Sequence, residues 1–325
     1  MATYKEIRGI NLQSLDSDPD AYEGDVWYNA TTSKLKMYTY STGAWASGGN
    51  MGTGRYMSGV AGTQNAAIAF GGNARAGGGA SLSDLNESYN GSAWSEVADL
   101  NTAKQLRGAA GTSTAALAIG GAPYVAINES WNNTCWSEIA DLNANKCGDV
   151  AFGTQTAALI QGGIHPATGA TEQWNGTSWA EVADVNTPVI QSNGAGTSTA
   201  GLKVGGQTGP NPLTANTEEW NNTCWAEVAD LNVAKRGGGM AGISTSALFF
   251  SGASTTVQNL TTTEEWDGTS WSEVADLPSG KKFPGSDGTS VLALGAGGYN
   301  PGTPYSTNST DEWTSAIAAQ TIAFD

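Results

Sequence analysis

Thr171-Glu-Gln-Trp174-Asn-Gly-Thr-Ser-Trp179-Ala-Glu-Val-Ala-Asp-Val185 is one copy of a pattern that recurs along the 325-residue chain. Seventeen residues after its second Trp stands a Gly. The interval is kept in Trp45–Gly62, Trp94–Gly111, Trp136–Gly153, Trp179–Gly196, Trp225–Gly242 and Trp271–Gly288. Nine residues beyond each Gly begins a Gly-Gly or its near equivalent, at Gly71, Gly120, Gly162, Gly205, Ser251 and Gly297. From Trp94 to Trp271 the successive periods are 42, 43, 46 and 46 residues. Intervals fixed six times over imply one supersecondary unit copied six times.

Within a unit, Asn175-Gly176 lies between the two Trp residues, and Asn-Gly between apolar runs is a strong hairpin signal. Asn90-Gly91 and Asp267-Gly268 repeat it. Asn132-Asn133 and Asn221-Asn222 use a second Asn, which also enters the left-handed region at low cost. The pattern predicts a strand c ending at the first aromatic and a strand d beginning at the second, with both turn positions at positive φ. Strand d alternates as Trp-x-Glu-Val-x-Asp-Leu, so Glu96, Glu138, Glu181, Glu227 and Glu273 read as solvent-facing. Ala115-Ala-Leu-Ala-Ile-Gly-Gly121 reads as a strand b covered on both faces by small residues. Arg236-Gly-Gly-Gly-Met-Ala-Gly242 reads as the innermost strand a. A four-stranded antiparallel meander of this period, marked by Gly-Gly and Trp, is the unit of a β-propeller.

The count follows from the partial units. Tyr89, Trp131, Trp174, Trp220, Trp266 and Trp313 end six strands c, but Trp313 has no second Trp after it. Gly43-Ala-Trp45-Ala-Ser47 supplies the missing strand d from the N-terminal side, and a ring must seal its first blade to its last. The expected fold is therefore all-β: a six-bladed propeller over residues 43–325, closed by an N-terminal strand. An anchor segment and β-hairpin over 1–42 precede it. A seven-bladed ring, with Lys34–Tyr40 as a further strand c, is the alternative. Gly-Gly followed by a spaced aromatic pair resembles the kelch repeat across residues 51–313. The spacing of five here is tighter than usual, so the units are kelch-like.

Composition narrows the function. The net charge of −16 argues against nucleic acid and against anionic membranes, which need basic patches. No apolar run is long enough for a membrane helix, and Met1-Ala-Thr-Tyr-Lys-Glu6 lacks an apolar signal core. The three Cys are expected as free thiols: Cys135 and Cys224 occupy one repeat position on different units, and Cys147 stands where Arg107 and Arg236 stand elsewhere.

No enzyme is expected, and no cofactor. Kelch-type copper oxidases resemble the chain in blade pattern, but that resemblance implies two His ligands and a Tyr–Cys pair, and the only His is His165. Asp267-Gly-Thr-Ser-Trp271 is superficially similar to the Asp-box of sialidase-like propellers, with the wrong spacing. The strand-d acids recur in every unit, whereas a catalytic pair would stand out as unique.

Variation concentrates between Gly-Gly and the strand-c aromatic, where the gap is 17 residues from Gly72 to Tyr89 and 10 from Gly121 to Trp131. In a meander these b–c loops emerge on the same face as the d–a loops. A rigid scaffold with one face of variable loops is a common plan for binding proteins. Tyr124, His165, Asn211, Gln258, Tyr299 and Tyr305 are the candidate binding residues of that face. The bland reading is drift in loop length.

Ahead of the repeats, Gly24-Asp-Val-Trp27-Tyr-Asn-Ala-Thr-Thr-Ser-Lys-Leu35-Lys36 predicts strands at Asp25–Asn29 and Lys34–Tyr40. This run resembles a hairpin found in virion proteins of tailed bacteriophages. Ala-Gly-Thr-x-Thr-Ala-Ala-Leu and Thr-Glu-Glu-Trp-Asn-Gly-Thr resemble the repeats of kelch-like proteins from phages of marine bacteria. The resemblance implies a non-enzymatic virion structural protein, assembled in the host cytoplasm, on capsid, fibre or tail. Ile7, Ile10, Leu12 and Leu15 are the expected anchor toward other virion proteins, and the b–c loops would meet host surface glycans. A glycan-binding or glycan-active propeller (a lectin or hydrolase) is the alternative, and an intracellular kelch-type scaffold is the third reading.

The repeated Trp is expected to anchor packing between units. Trp179→Ala should cost about 3–5 kcal/mol in chemical denaturation, and unchanged thermal stability would contradict the strand-d assignment.

Overall fold

A computed structural model describes residues 13–19, 25–40, 43–74, 81–106, 108–147, 150–163, 168–209, 212–301, 305–315 and 317–322. No helix occurs among these residues. β1 (Gln13–Leu15), β2 (Val26–Asn29) and β3 (Lys34–Tyr40) precede the repeats, and β4 (Ala44–Ser47) carries Trp45. Next come β5 (Gly59–Thr63), β6 (Ala66–Phe70), β7 (Asn86–Tyr89) and β8 (Trp94–Val97). The second run is β9 (Gly108–Thr112), β10 (Ala115–Ile119), β11 (Asn128–Trp131) and β12 (Trp136–Ile139). The third is β13 (Val150–Thr154), β14 (Ala157–Gln161), β15 (Thr171–Trp174) and β16 (Trp179–Val182). The fourth is β17 (Asn193–Thr197), β18 (Ala200–Val204), β19 (Thr217–Trp220) and β20 (Trp225–Val228). The fifth is β21 (Gly239–Ile243), β22 (Ser246–Phe250), β23 (Thr263–Trp266) and β24 (Trp271–Val274). β25 (Gly285–Gly288), β26 (Leu292–Ala296), β27 (Thr310–Thr314) and β28 (Ile317–Thr321) close the chain.

Each run from β5 to β24 is a four-stranded antiparallel meander, and β25-β26-β27 is completed by β4, with Trp313 facing Trp45. A parallel bridge between Ala151 and Gly108 joins the second and third meanders into one eight-stranded sheet. The first strands are neighbours in chain order, from β5 beside β9 to β21 beside β25, and β25 lies again beside β5.

Two compact units result, Ala44–Thr314 and Met1–Gly43 with Ser315–Asp325. In the smaller one the order is β1-β2-β3-β28, so Lys34–Tyr40 pairs with β2 and β28 and belongs to no repeat. Ile317–Thr321, expected with the repeats, joins this sheet, and β4 fills the last strand-d place. Asp18 organises its turn: the carboxylate accepts from Trp27 Nε1 at 3.3 Å, Asn29 Nδ2 at 2.9 Å and Lys36 Nζ at 2.8 Å. The Lys36 hydrogen bond above all holds the Asp18 carboxyl below its ordinary range. Leu15 is half-buried on β1, whereas Ile7, Ile10 and Leu12 lie outside the described residues.

Local chemistry explains the fixed intervals. The Gly that follows each strand-d Trp by 17 residues sits near the end of strand a at positive φ, 137° at Gly62 and 122° at Gly242. A Cβ on Gly62 would stand 2.2 Å from the Ala66 carbonyl oxygen, so no side chain fits. The c–d hairpins correct one expectation. Their loops have four residues, and among the turn pair only the second is left-handed, as in Gly176 at 93° and Asn133 at 71°. The first Asn or Asp instead accepts from the N–H groups two and three residues on, as Asn175 Oδ1 does from Thr177 and Ser178 at 2.9 Å. The aromatics that flank these turns face each other directly: ring centroids lie 5.3 Å apart for Trp174 and Trp179, and 4.8 Å for Tyr89 and Trp94. Strand b is covered on both faces, though not only by small residues, since Phe249, Phe250 and Lys203 are fully buried.

The feature that most constrains the units is a buried ion pair in each. Arg55–Glu87 (2.8 Å), Lys104–Glu129 (3.4 Å), Lys146–Glu172 (3.9 Å), Lys203–Glu218 (3.0 Å), Lys235–Glu264 (2.8 Å) and Lys281–Asp311 all have nearly inaccessible side chains. The carboxylate stands two residues before the strand-c aromatic. Five of the cations come from the d–a loop that enters the same meander. Loop backbone completes the carboxylate's bonding: Asn101, Asn143, Asn186 and Asn232 donate N–H to Glu129, Glu172, Glu218 and Glu264 at 2.7–2.8 Å. Their side-chain amides reach the Trp136, Trp179, Trp225 and Trp271 carbonyls.

In the fourth meander the source of charge moves. Val189, 1% exposed, occupies the loop place that Lys104 fills elsewhere, and Lys203 on strand b fills the place of Ala118. Burial pushes the Lys104, Lys203 and Lys235 ammonium groups below their ordinary range, and the partner carboxylates push back. A carboxylate left alone in this position is costly. Lys104→Met should lose about 3–5 kcal/mol in urea denaturation. Lys104→Val combined with Ala118→Lys, which copies the fourth meander, should recover most of that loss.

Candidate ligand-binding face

After the loop cations Arg55, Lys104, Lys235 and Lys281 the chain turns toward strand a, and the next residue meets the segment that follows Gly-Gly. Antiparallel bridges join Tyr56 to Asn73, Gln105 to Ala122, Arg236 to Ala253 and Lys282 to Tyr299. Ile190 meets Gln207 in the same way. The d–a and b–c loops therefore do emerge together.

Along three consecutive meanders this rim carries Arg236, Lys282 and Tyr56. Lys282 Nζ lies 5.0 Å from the Tyr299 ring centroid and donates to Gln258 Oε1 at 3.2 Å. Tyr299 is edge-on to Tyr56, with centroids 5.5 Å apart, and tilted against Tyr305 at 6.0 Å. Tyr305 is 40% exposed, and Tyr56, Tyr299, Lys282 and Arg236 are half-buried. Arg236 donates to Gln207 Oε1. Among the described residues neither Arg236 nor Lys282 has a carboxylate within ion-pair distance, unlike Arg55, Lys104, Lys146, Lys203, Lys235 and Lys281. Burial, reinforced by the Arg236 charge, pushes the Lys282 ammonium below its ordinary range, and burial lowers Arg236 as well.

Of the residues expected on this face, Gln258, Tyr299 and Tyr305 come together around Lys282. Tyr124 is exposed at φ 68° on the b–c loop of the second meander, and His165 and Asn211 lie outside the described residues. Sequence reasoning missed Tyr56, Arg236 and Lys282. The available signal was the pair of dipeptides Lys235-Arg236 and Lys281-Lys282 in a chain with only 14 cations.

The first strands of all six meanders also enclose two small cavities, of about 60 and about 80 Å³. Met57, Leu106 and Phe283 line the first. Asp287 lines the second, where no other titratable residue does. Asp287 Oδ2 accepts from Gly62 N and Oδ1 from Gly288 N, both at 2.7 Å, so the carboxylate ties the sixth meander to the first. The cavities have room for water or a small ion but not for a sugar ring. Cys135 and Cys224 are exposed free thiols, and Cys147 is buried.

The chain matches no protein-family model, and no curated protein matches it in sequence.

Desolvation pushes the Asp287 carboxyl up to about 7, against the pull of its two N–H donors. The unfolded chain ionises near 3.8, so folding takes up a proton between those values, and stability falls as pH rises from about 4 to about 7. Asp287→Asn does not titrate. The melting temperature of the wild type relative to this variant should therefore drop across that pH interval, and a flat difference would contradict the buried carboxylate.

Proposed function

We propose that the Ala44–Thr314 unit is a six-bladed, kelch-like β-propeller closed by β4, and that the chain is a non-enzymatic structural component of a phage virion. The propeller reading is supported by the six repeated meanders and by the return of β25 to β5. The observation that carries the functional reading is the separation of constancy from variation. A buried ion pair and a facing aromatic pair repeat in every unit, whereas b–c loop length and rim chemistry differ between units. A scaffold of this kind holds one adaptable face rigid, which suits display toward a host surface or a neighbouring subunit.

The virion assignment draws its support from the resemblance of the 24–36 hairpin and of the repeats to phage proteins. In this reading residues 1–24 contact other virion proteins on capsid, fibre or tail, assembly takes place in the host cytoplasm, and the loop face points outward. The tyrosine cluster at Lys282 favours a second reading, a glycan-binding propeller that acts without a particle.

Cryo-electron microscopy of intact particles from the source culture should show a six-bladed density of 33.3 kDa on the capsid lattice or the tail. Its absence from every particle would overturn the virion reading and leave the glycan-binding one.

A further inference from the structure

We infer that the rim formed by Tyr56, Arg236, Lys282, Tyr299 and Tyr305 binds an acidic sugar, a pyranose bearing a carboxylate or sulfate within a surface polysaccharide. This deepens the reading of the loop face as a display surface and rests on it.

Charge bookkeeping supplies the first strand of the argument. The protein carries −16 overall, and six cations of the larger unit are consumed inside its buried ion pairs. Arg236 and Lys282 have no carboxylate partner among the described residues, yet they sit on adjacent meanders near enough for the Arg236 charge to act on Lys282. Two partly desolvated like charges on adjacent meanders repel each other, and an anion bound between them relieves the repulsion.

The rings supply the second. Tyr56, Tyr299 and Tyr305 meet at 5.5 and 6.0 Å in edge-on and tilted arrangements, and the 40% exposure of Tyr305 offers ring surface to the apolar face of a pyranose. The exposed Gln258 amide, already bonded to Lys282, adds a hydroxyl partner beside them. A densely charged polymer such as a nucleic acid is disfavoured by the net negative field, whereas a glycan with one charge per sugar or fewer pays little. The cavities at the first strands are too small to be the site.

The test uses the full chain and defined oligosaccharides: oligogalacturonate, sulfated galactan oligomers and neutral galactan oligomers, with inorganic sulfate as the free anion. Titration calorimetry should show binding to at least one acidic oligomer, about tenfold or more tighter than to the neutral one, and weakening as salt is raised. Lys282→Gln, Arg236→Gln and Tyr299→Ala should each lose about tenfold, and Lys34→Gln in the small sheet should lose nothing. Melting temperatures check that each variant folds, and Tyr305→Ala, at a more exposed ring, gives a second aromatic probe should Tyr299→Ala fail to fold.

Equal binding of neutral and acidic oligomers, acidic binding insensitive to both cation variants, or sulfate binding as tight as any oligomer would overturn the proposal. So would no binding to any acidic oligomer. Particle density without sugar binding would remove this inference alone, whereas sugar binding without particle density would remove the virion reading alone.

Discussion

A carboxylate placed inside each meander, two residues before the strand-c aromatic, is the constraint on which the repeat depends. Burying a charge is affordable only where an opposite charge and hydrogen-bond donors surround it. Here the donors are a Lys or Arg and the backbone of the d–a loop, so satisfying the carboxylate also fixes how the chain enters the next sheet. The loop Asn then bonds the strand-d Trp carbonyl, and the path of the connection is determined at three points. The fourth meander shows that what matters is the location of the charge and not the position that supplies it. Val189 and Lys203 reach the same arrangement by exchanging roles between loop and strand.

This arrangement shapes the outer surface too. Most cations of the larger unit are withdrawn into its interior, while Glu96, Glu138, Glu181, Glu227 and Glu273 stay exposed on strand d. Among the described residues of this acidic surface, two cations without a carboxylate partner become a local exception. Arg236 and Lys282 are conspicuous for this reason, and the tyrosines around them give the exception a shape.

Much of the fold was legible in the sequence because it rests on residues with few alternative uses. A Gly at φ above 110° tolerates no substitute, so the Trp–Gly interval could be read directly, and the Asn-Gly pairs located the hairpins. Trp45, isolated from the repeats, announced its strand by matching the unpaired Trp313. The ion pairs were not legible, because Glu before an aromatic and Lys in a polar loop both read as exposed by default. Only the three-dimensional path brings Lys104 over Glu129. The tertiary placement of Ile317–Thr321 was hidden for a similar reason: a short Ala-rich strand carries no mark of its partner. At the rim, loop length pointed to Gln258, Tyr299 and Tyr305. Tyr56 and Lys282 stand in segments that read as the approach to an inner strand, so nothing in their periodicity set them apart.

The pairing of β4 with β27 has a kinetic consequence. Trp45 and Trp313 come from opposite ends of the larger unit, so within that unit the sixth sheet is the element of highest sequence separation and must wait for nearly the whole chain. Until it forms, β27 presents an open edge and β4 is an unattached strand bearing a Trp. At high local concentration, as in a cell filled with newly made copies, β4 of one chain can complete the sixth sheet of another. The speed of this last intramolecular step relative to encounter between chains then sets how much of the protein is born as closed monomers and how much as strand-exchanged oligomers.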